Sequence, residues 1–145
     1  MNDLEDDEFI HTICKRYGIE KYTINSNGSI DVDGNVELLF NRLKRLPIKF
    51  NYVSGSFDIS CNKLTTLEGL PKHIGGYLNL DYNDIEVLNI DLICNYSISI
   101  GENPIKRIEY INPNIIGNIR IHNNQGIISK YKRSLKIKQF LKDEN

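Results

Sequence analysis

Asparagine recurs in this sequence at nearly constant spacing, and this recurrence limits the chain to a repeat architecture. Successive members of the series are separated by 21, 21, 20 and 21 residues. A fixed period of roughly 20 to 50 residues is the signature of a solenoid, in which each repeat stacks on the next. The series consists of Asn41, Asn62, Asn83, Asn103 and Asn124.

A short alternating segment precedes each of these asparagines. Apolar residues stand five and three positions before the asparagine, with polar residues between them, which is the period of a half-buried strand. Period and pattern together predict a leucine-rich-repeat solenoid of five repeats of 20–21 residues, over residues 36–126, with a parallel sheet on its concave face. The inward pairs are Val36 and Leu38, Phe57 and Ile59, Leu78 and Leu80, Ile98 and Ile100, and Ile119 and Ile121.

The recurring asparagine stands where each strand ends and the backbone turns inside the solenoid. Backbone groups at such a buried turn lack partners, and an asparagine amide offers both hydrogen-bond donors and an acceptor. We therefore interpret all five asparagines as a structural ladder between coils, in preference to a ligand-binding role.

The four return segments between each asparagine and the next strand are too short for a full helix, and three of them contain proline, at Pro47, Pro71 and Pro113. We expect them to run extended or as 3₁₀ turns. Glycine precedes the new strands, where a tight corner is expected to require a positive φ. These glycines are Gly55, Gly75, Gly76 and Gly117.

The segments that flank the repeats are predicted to cap the solenoid, since its end coils would otherwise expose apolar surface. Residues 1–18 are predicted to form an N-terminal helical cap. Residues 19–35 are predicted to form a lead-in hairpin with a two-residue loop at Asn27-Gly28. The apolar stripe of the predicted N-terminal helix consists of Phe9, Ile13 and Tyr17.

Residues 127–145 interleave lysine and arginine with apolar residues, which predicts a basic amphipathic capping helix. Clustered cations can also bind phosphate weakly, so nucleic acid is an alternative partner. The pI of about 6.3 is unlike that of a dedicated nucleic-acid-binding protein.

The fixed period also identifies the side chains that point outward from the strands. Concave solenoid faces are the usual binding surfaces, and tyrosine and arginine are favoured anchors, so we predict a protein-binding face. Because the side chains of Asp58 and Asp81 should point to solvent, reversing their charge is expected to change stability by no more than about 0.5 kcal/mol. The candidate binding residues are Glu37, Asp58, Ser60, Tyr77, Asn79, Asp81, Arg120 and His122.

The sequence shows no pattern of a catalytic or metal site. A P-loop, a nucleophile elbow and a dinucleotide fingerprint are missing, so we expect neither an enzyme nor a bound metal or cofactor. The cysteines are odd in number without CxxC spacing, which favours buried free thiols, with Cys61 the most exposed to modification. The histidines His11, His73 and His122 fall on the predicted cap, a return segment and a strand.

The run YTINSNGSIDVDGNVEL, followed by LPIKF and NKLTTLEGLPKHIGG, resembles the short leucine-rich-repeat proteins of tailed bacteriophages and the LPX-type repeats of bacterial effectors. The resemblance covers residues 22 to about 126. It implies a phage-encoded protein that binds or inhibits a host protein, such as a defence factor. A structural or virion-associated repeat protein is an alternative, and a nucleic-acid or small-ligand binder is another.

The start of the chain is acidic, with Glu5, Asp6, Asp7 and Glu8 close together. A secretory signal would require a basic start and an apolar run, so we expect a cytoplasmic protein without a membrane partner, in the host bacterium if the chain is phage-encoded. The oligomeric state and the identity of the protein partner are open at this stage.

Overall fold

The chain forms a β-solenoid of parallel strands with an α-helix at each end, as the computed structural model of residues 3–144 shows. The predicted repeat-solenoid architecture is therefore confirmed. Met1, Asn2 and Asn145, which the predicted caps include, lie outside the described residues. In chain order the elements are α1 (Asp3–Arg16), β1 (Tyr22–Ile24), β2 (Ile30–Val32), β3 (Val36–Glu37), β4 (Phe50–Val53), β5 (Phe57–Asp58), β6 (His73–Ile74), β7 (Leu78–Asn79), β8 (Val87–Ile90), β9 (Ile93–Cys94), β10 (Ile98–Ser99), β11 (Arg107–Ile111), a 3₁₀ turn (Ile116–Asn118), β12 (Ile119–Arg120) and α2 (Gln125–Asp143).

Five short parallel strands form what we call the face sheet, in the spatial order β3, β5, β7, β10, β12. The register aligns the first residue of every strand with the first residue of its neighbours, so consecutive repeats stack directly on one another. The predicted inward residues of the first four strands are fully buried, which confirms the alternation. In the last repeat Ile121 is buried, whereas Ile119 is half-buried.

The three central asparagines of the series are buried where the face strands end. The Nδ2 of Asn83 donates to the carbonyl of Ile59 in the preceding coil (3.0 Å) and to that of Leu80 in its own coil (3.1 Å). Its Oδ1 accepts the N–H of Leu64 at 3.0 Å, again from the preceding coil. With the carbonyl of Asp81, at 3.4 Å, one side chain thus bonds four backbone groups across two coils. The same arrangement is formed by Asn62 and Asn103.

The first and last asparagines of the series are placed differently. Asn41 is exposed, and its amide donates to the carbonyls of Leu38 and Leu39 within its own coil. Asn124 is half-buried, donates to the carbonyl of Asn103 at 2.8 Å, and immediately precedes α2. The end positions therefore connect fewer buried groups than the central three.

A second five-stranded sheet, which we call the back sheet, is formed by β1, β2, β4, β6 and β9. The β1 strand is antiparallel to β2, and the remaining neighbours are parallel. Strands β8 and β11 pair in parallel in the later return segments. The return segments are extended as predicted, but the second sheet was not foreseen, because strand pairing between coils leaves no periodic signal in such short segments.

Three of the four glycines that precede the face strands, Gly55, Gly75 and Gly76, allow close approach between coils. The prediction that they adopt a positive φ is wrong, since none of the four lies in the left-handed region. A Cβ on Gly75 would lie 2.1 Å from the carbonyl oxygen of Ser54 in the preceding coil, and a Cβ on Gly76 would lie 2.7 Å from the Ser56 nitrogen. Backbone meets backbone here, and only a residue without a side chain fits.

The left-handed conformation occurs instead in the residue just before each asparagine of the series. Such a conformation costs a residue other than glycine about 1–2 kcal/mol. Different residue types fill this position, so the sequence pattern gave no sign of it. These residues are Phe40, Cys61, Tyr82, Glu102 and Asn123, with φ between 54° and 70°.

Replacing Tyr82 by glycine is expected to relieve this strain. Its side chain is 60% exposed and its φ is 56°, a conformation that glycine adopts freely. Tyr82→Ala removes the same ring but retains the strained Cβ, so it is the matched control. We expect Tyr82→Gly to be more stable than Tyr82→Ala by about 1 kcal/mol in urea denaturation. Equal stability of the two variants would show that the conformation is unstrained.

Helix α1 packs on the core through Ile10, Ile13 and Cys14, which are buried. The predicted stripe is therefore correct at Ile13 but wrong at Phe9, which is 54% exposed, while Tyr17 is half-buried. These three residues stand at positions i, i+3 and i+4, which share one face of a helix, and Phe9 lies outside this face.

The lead-in hairpin has a longer loop than the predicted two residues. The N–H of Asn25 donates to the carbonyl of Ser29 at 2.8 Å, which leaves residues 26–28 as the loop. Gly28 has a φ of 78°. A three-residue loop with a left-handed glycine is the next most common hairpin connection, and its sequence signal overlaps that of the two-residue loop.

Helix α2 packs on the end of the solenoid with its first half. Ile128 is buried, and the Tyr131 hydroxyl accepts the N–H of Ile111 at 3.2 Å. In the second half, Ile137 and Phe140 are each 61% exposed. The predicted basic helix is thus a cap over its first turns and a solvent-exposed segment after them.

Candidate binding face

The register of the face sheet arranges its outward side chains in columns that run from coil to coil. Neighbouring strands lie about 4.8 Å apart, so five strands give a face roughly 20 Å long. One of these columns begins with an acidic side chain on β3 and ends with a cationic side chain on β12, and both are exposed. This column consists of Glu37, Asp58, Asn79, Ser99 and Arg120. A neighbouring column, two residues further along each repeat, consists of Leu39, Ser60, Asp81, Gly101 and His122.

Asp58 is held within the face by its neighbours. One carboxylate oxygen accepts the Ser60 N–H at 3.0 Å and the Ser60 hydroxyl at 2.6 Å. The other accepts the amide of Asn79 from the next coil at 3.4 Å. Its carboxylate is therefore half-buried and preorganised, with a fixed orientation toward any partner on the face.

Asp81 is more strongly engaged than Asp58. Its carboxylate accepts the Ser99 hydroxyl at 2.7 and 2.9 Å and the N–H of Gly101 at 2.5 Å. A Cβ on Gly101 would lie 3.2 Å from this carboxylate, so glycine provides the space for it. The expected small effect of charge reversal assumed that both side chains point to solvent, and it left out these bonds, because the sequence period gives direction but not the partners across coils.

Charge reversal at Asp81 is expected to destabilise the protein by about 1–3 kcal/mol, since it removes a charged acceptor from two donors in the next coil. Glu37→Lys is the matched control, because Glu37 is exposed in the first strand of the same face. We expect Glu37→Lys to stay within about 0.5 kcal/mol of the parent in thermal and chemical denaturation. Equal effects of the two reversals would contradict the structural role of Asp81.

Tyr77 is the aromatic side chain that the face offers to a partner. It is 48% exposed, while its N–H donates to the Ser56 hydroxyl oxygen at 3.1 Å. The N–H of Ser56 in turn donates to Asn35 at 2.9 Å, so backbone and side chains form a chain of bonds across three coils. The ring is thus exposed on a rigid support.

Sequence reasoning missed a second set of exposed side chains, which lie on the back sheet and at the left-handed positions. Tyr52 contacts His73 edge to face, with ring centroids 5.4 Å apart, and Ile93 is 49% exposed beside them. Phe40 and Tyr82 are 74% and 60% exposed beside the ends of the face strands. The left-handed φ of Phe40 and Tyr82 directs their rings out of the coil. Because this is a property of the backbone, the sequence pattern does not reveal it.

The histidines are held in separate environments. His11 bonds the Tyr22 hydroxyl at 2.5 Å, His73 bonds Asn95 at 3.1 Å, and His122 is exposed on the last strand. Within residues 3–144, no group of three or more histidine, cysteine or acidic side chains could hold a metal ion. Neither helix in this part of the chain is both long and apolar enough to cross a membrane.

The cysteines divide into two buried thiols and one half-exposed thiol. Burial raises the pKa of Cys14 and that of Cys94, which lowers the thiolate fraction of each. Because the thiolate is the reactive form, we expect a thiol reagent to modify Cys61 first and the other two only on unfolding. Mass spectrometry of peptides from a timed reaction measures this order. Simultaneous modification of all three in the native protein would contradict it.

Comparison of this chain with known protein families, curated proteins and solved structures gives no match. The assignment of a function therefore depends on the geometry of the face and on the resemblance of the repeat pattern.

Proposed function

We propose that this chain is a leucine-rich-repeat protein of five repeats that binds a protein partner through its face sheet, and that it has no catalytic role. The observation that supports this proposal is the columnar register of the face sheet, with the exposed Tyr77 directly before β7, the middle strand. An exposed aromatic ring among fixed hydrogen-bonding groups is typical of a protein-binding site.

The repeat type is supported by three features. The strands recur at the asparagine period, the central asparagines bond the preceding coil, and the inward residues fill one continuous core. Stacked coils of this kind present an extended surface without a deep pocket, which suits a macromolecular partner.

The source and target that we propose come from the sequence resemblance. A phage-encoded protein acting in the bacterial cytoplasm would occupy a host protein, such as a defence factor, and so block its contacts. Nucleic acid is a second candidate partner, favoured by the exposed cations of α2, among them Lys132 and Arg133. Binding that weakens steeply between 50 and roughly 200 mM salt would favour nucleic acid.

Affinity capture from a bacterial lysate tests the protein-binding proposal with matched variants. Tyr77→Ser changes the face, and Tyr52→Ser changes an exposed tyrosine of the back sheet. We expect the proteins captured by the parent to be lost about tenfold with Tyr77→Ser and retained with Tyr52→Ser. Loss with Tyr52→Ser and retention with Tyr77→Ser would place the binding surface on the back sheet and contradict the proposal.

A further inference from the structure

The last strand of the face sheet has an open edge. β12 is the end strand of the sheet and pairs with β10 on one side. In the preceding coils, inward residues donate their N–H to the next coil, as Leu80 does to Ser99 (2.8 Å) and Ile100 does to Arg120 (3.0 Å). Ile121 has the same repeat position as Ile100, but within residues 3–144 no further face strand follows it. From this repeat position we infer that its N–H points toward the open edge.

A cleft of about 370 Å³ lies between the open edge and α2. One wall is formed by residues 119–122, which are β12 and the two residues that follow it. The helix wall is formed by side chains three and four positions apart, which share one face of a helix. A strand edge beside a helix is the arrangement in which an extended peptide is bound as an added strand. The helix residues are Gln125, Ile128, Ser129 and Lys132.

The charge of the cleft selects among peptides. Arg120 and Lys132 line it, are both exposed, and make it positively charged. Ile121 and Ile128 also line it and are buried, which gives the cleft an apolar floor. Successive side chains of an added strand point alternately to the floor and to the outer face. A segment in which apolar and acidic residues alternate would place its apolar side chains on the floor and its acidic side chains beside the cations.

We propose that this cleft binds an extended segment of alternating acidic and apolar residues, which adds to β12 as a sixth parallel strand of the face sheet. The cleft shares Arg120 and His122 with the candidate binding face but does not include Tyr77, and the proposal does not depend on the function proposed for the face.

A blocked hexapeptide of alternating aspartate and valine tests the proposal by calorimetric titration of the full chain. The double variant Arg120→Glu/Lys132→Glu reverses two charges at the cleft. The control Lys138→Glu/Lys142→Glu makes the same change of net charge on α2, at positions that do not line the cleft. We expect the cleft variant to bind at least about tenfold more weakly than the parent, and the control to bind within about threefold of it.

Methylation of the peptide backbone separates strand addition from simple charge attraction. N–H groups of alternate residues point to the same edge of a strand, so methyls on the valine nitrogens block one edge and methyls on the aspartate nitrogens block the other. We expect one methylated peptide to lose binding and the other to retain it. Equal binding of both, absence of binding to the parent, or equally tight binding of single-stranded DNA of the same charge would overturn the proposal.

Discussion

Replacing Asn83 by alanine is expected to destabilise the protein by about 3 kcal/mol. The change leaves the N–H of Leu64 and the carbonyls of Ile59 and Leu80 without their side-chain partner. Asn83 is 4% exposed, so water reaches these groups poorly, and each unpaired buried group costs about 1–3 kcal/mol. The free energy of unfolding from urea denaturation measures the effect.

Asn41→Ala is the matched control, because it makes the same chemical change at the first position of the series. The Asn41 side chain is exposed, so water can replace the amide, and we expect a loss of about 1 kcal/mol or less. Equal losses for the two variants would show that bonding between coils is not what makes the central asparagines important.

Gly75→Ala is expected to destabilise the protein by about 3 kcal/mol or more. The new methyl group would lie 2.1 Å from the Ser54 carbonyl oxygen, which belongs to the backbone of the preceding coil. Neither atom can move without separating two paired coils, and overpacking of this kind commonly costs about 1–3 kcal/mol even against movable side chains.

Gly117→Ala provides the control for Gly75→Ala. A Cβ on Gly117 meets no atom within 4 Å among the described residues, and its φ lies outside the left-handed region. We expect this variant to unfold within about 0.5 kcal/mol of the parent. If thermal melts of the two variants coincide, close approach between coils does not explain the glycine at position 75.

The sequence predicts the features of the fold that depend on side-chain period. The inward positions of the face strands, such as Leu78 and Leu80, follow from alternation, and their burial follows from the stacking of coils. The recurrence of asparagine located the turns correctly because an amide that serves two coils must recur once in each coil.

The features that the sequence did not predict depend on backbone contacts between coils. The left-handed φ at Cys61 and Tyr82 is adopted by unrelated side chains, so no residue pattern marks it. The bonds of Asp81 to Ser99 and Gly101 connect residues 18 and 20 positions apart, and only the register of adjacent strands brings them together. The repeat period therefore predicted which side chains of the candidate site point outward. The hydrogen bonds among them were found only in the structure.

The central claim, that a protein partner binds to the face sheet, is tested most directly by site-specific photocrosslinking. A benzophenone side chain placed at position 77 projects from the face, and the same group at position 52 projects from the back sheet, in place of tyrosines that are 48% and 38% exposed. After irradiation in a bacterial lysate, we expect a discrete protein adduct from position 77 and none from position 52. An adduct from position 52 alone, or equal adducts from both positions, would contradict binding at the face sheet.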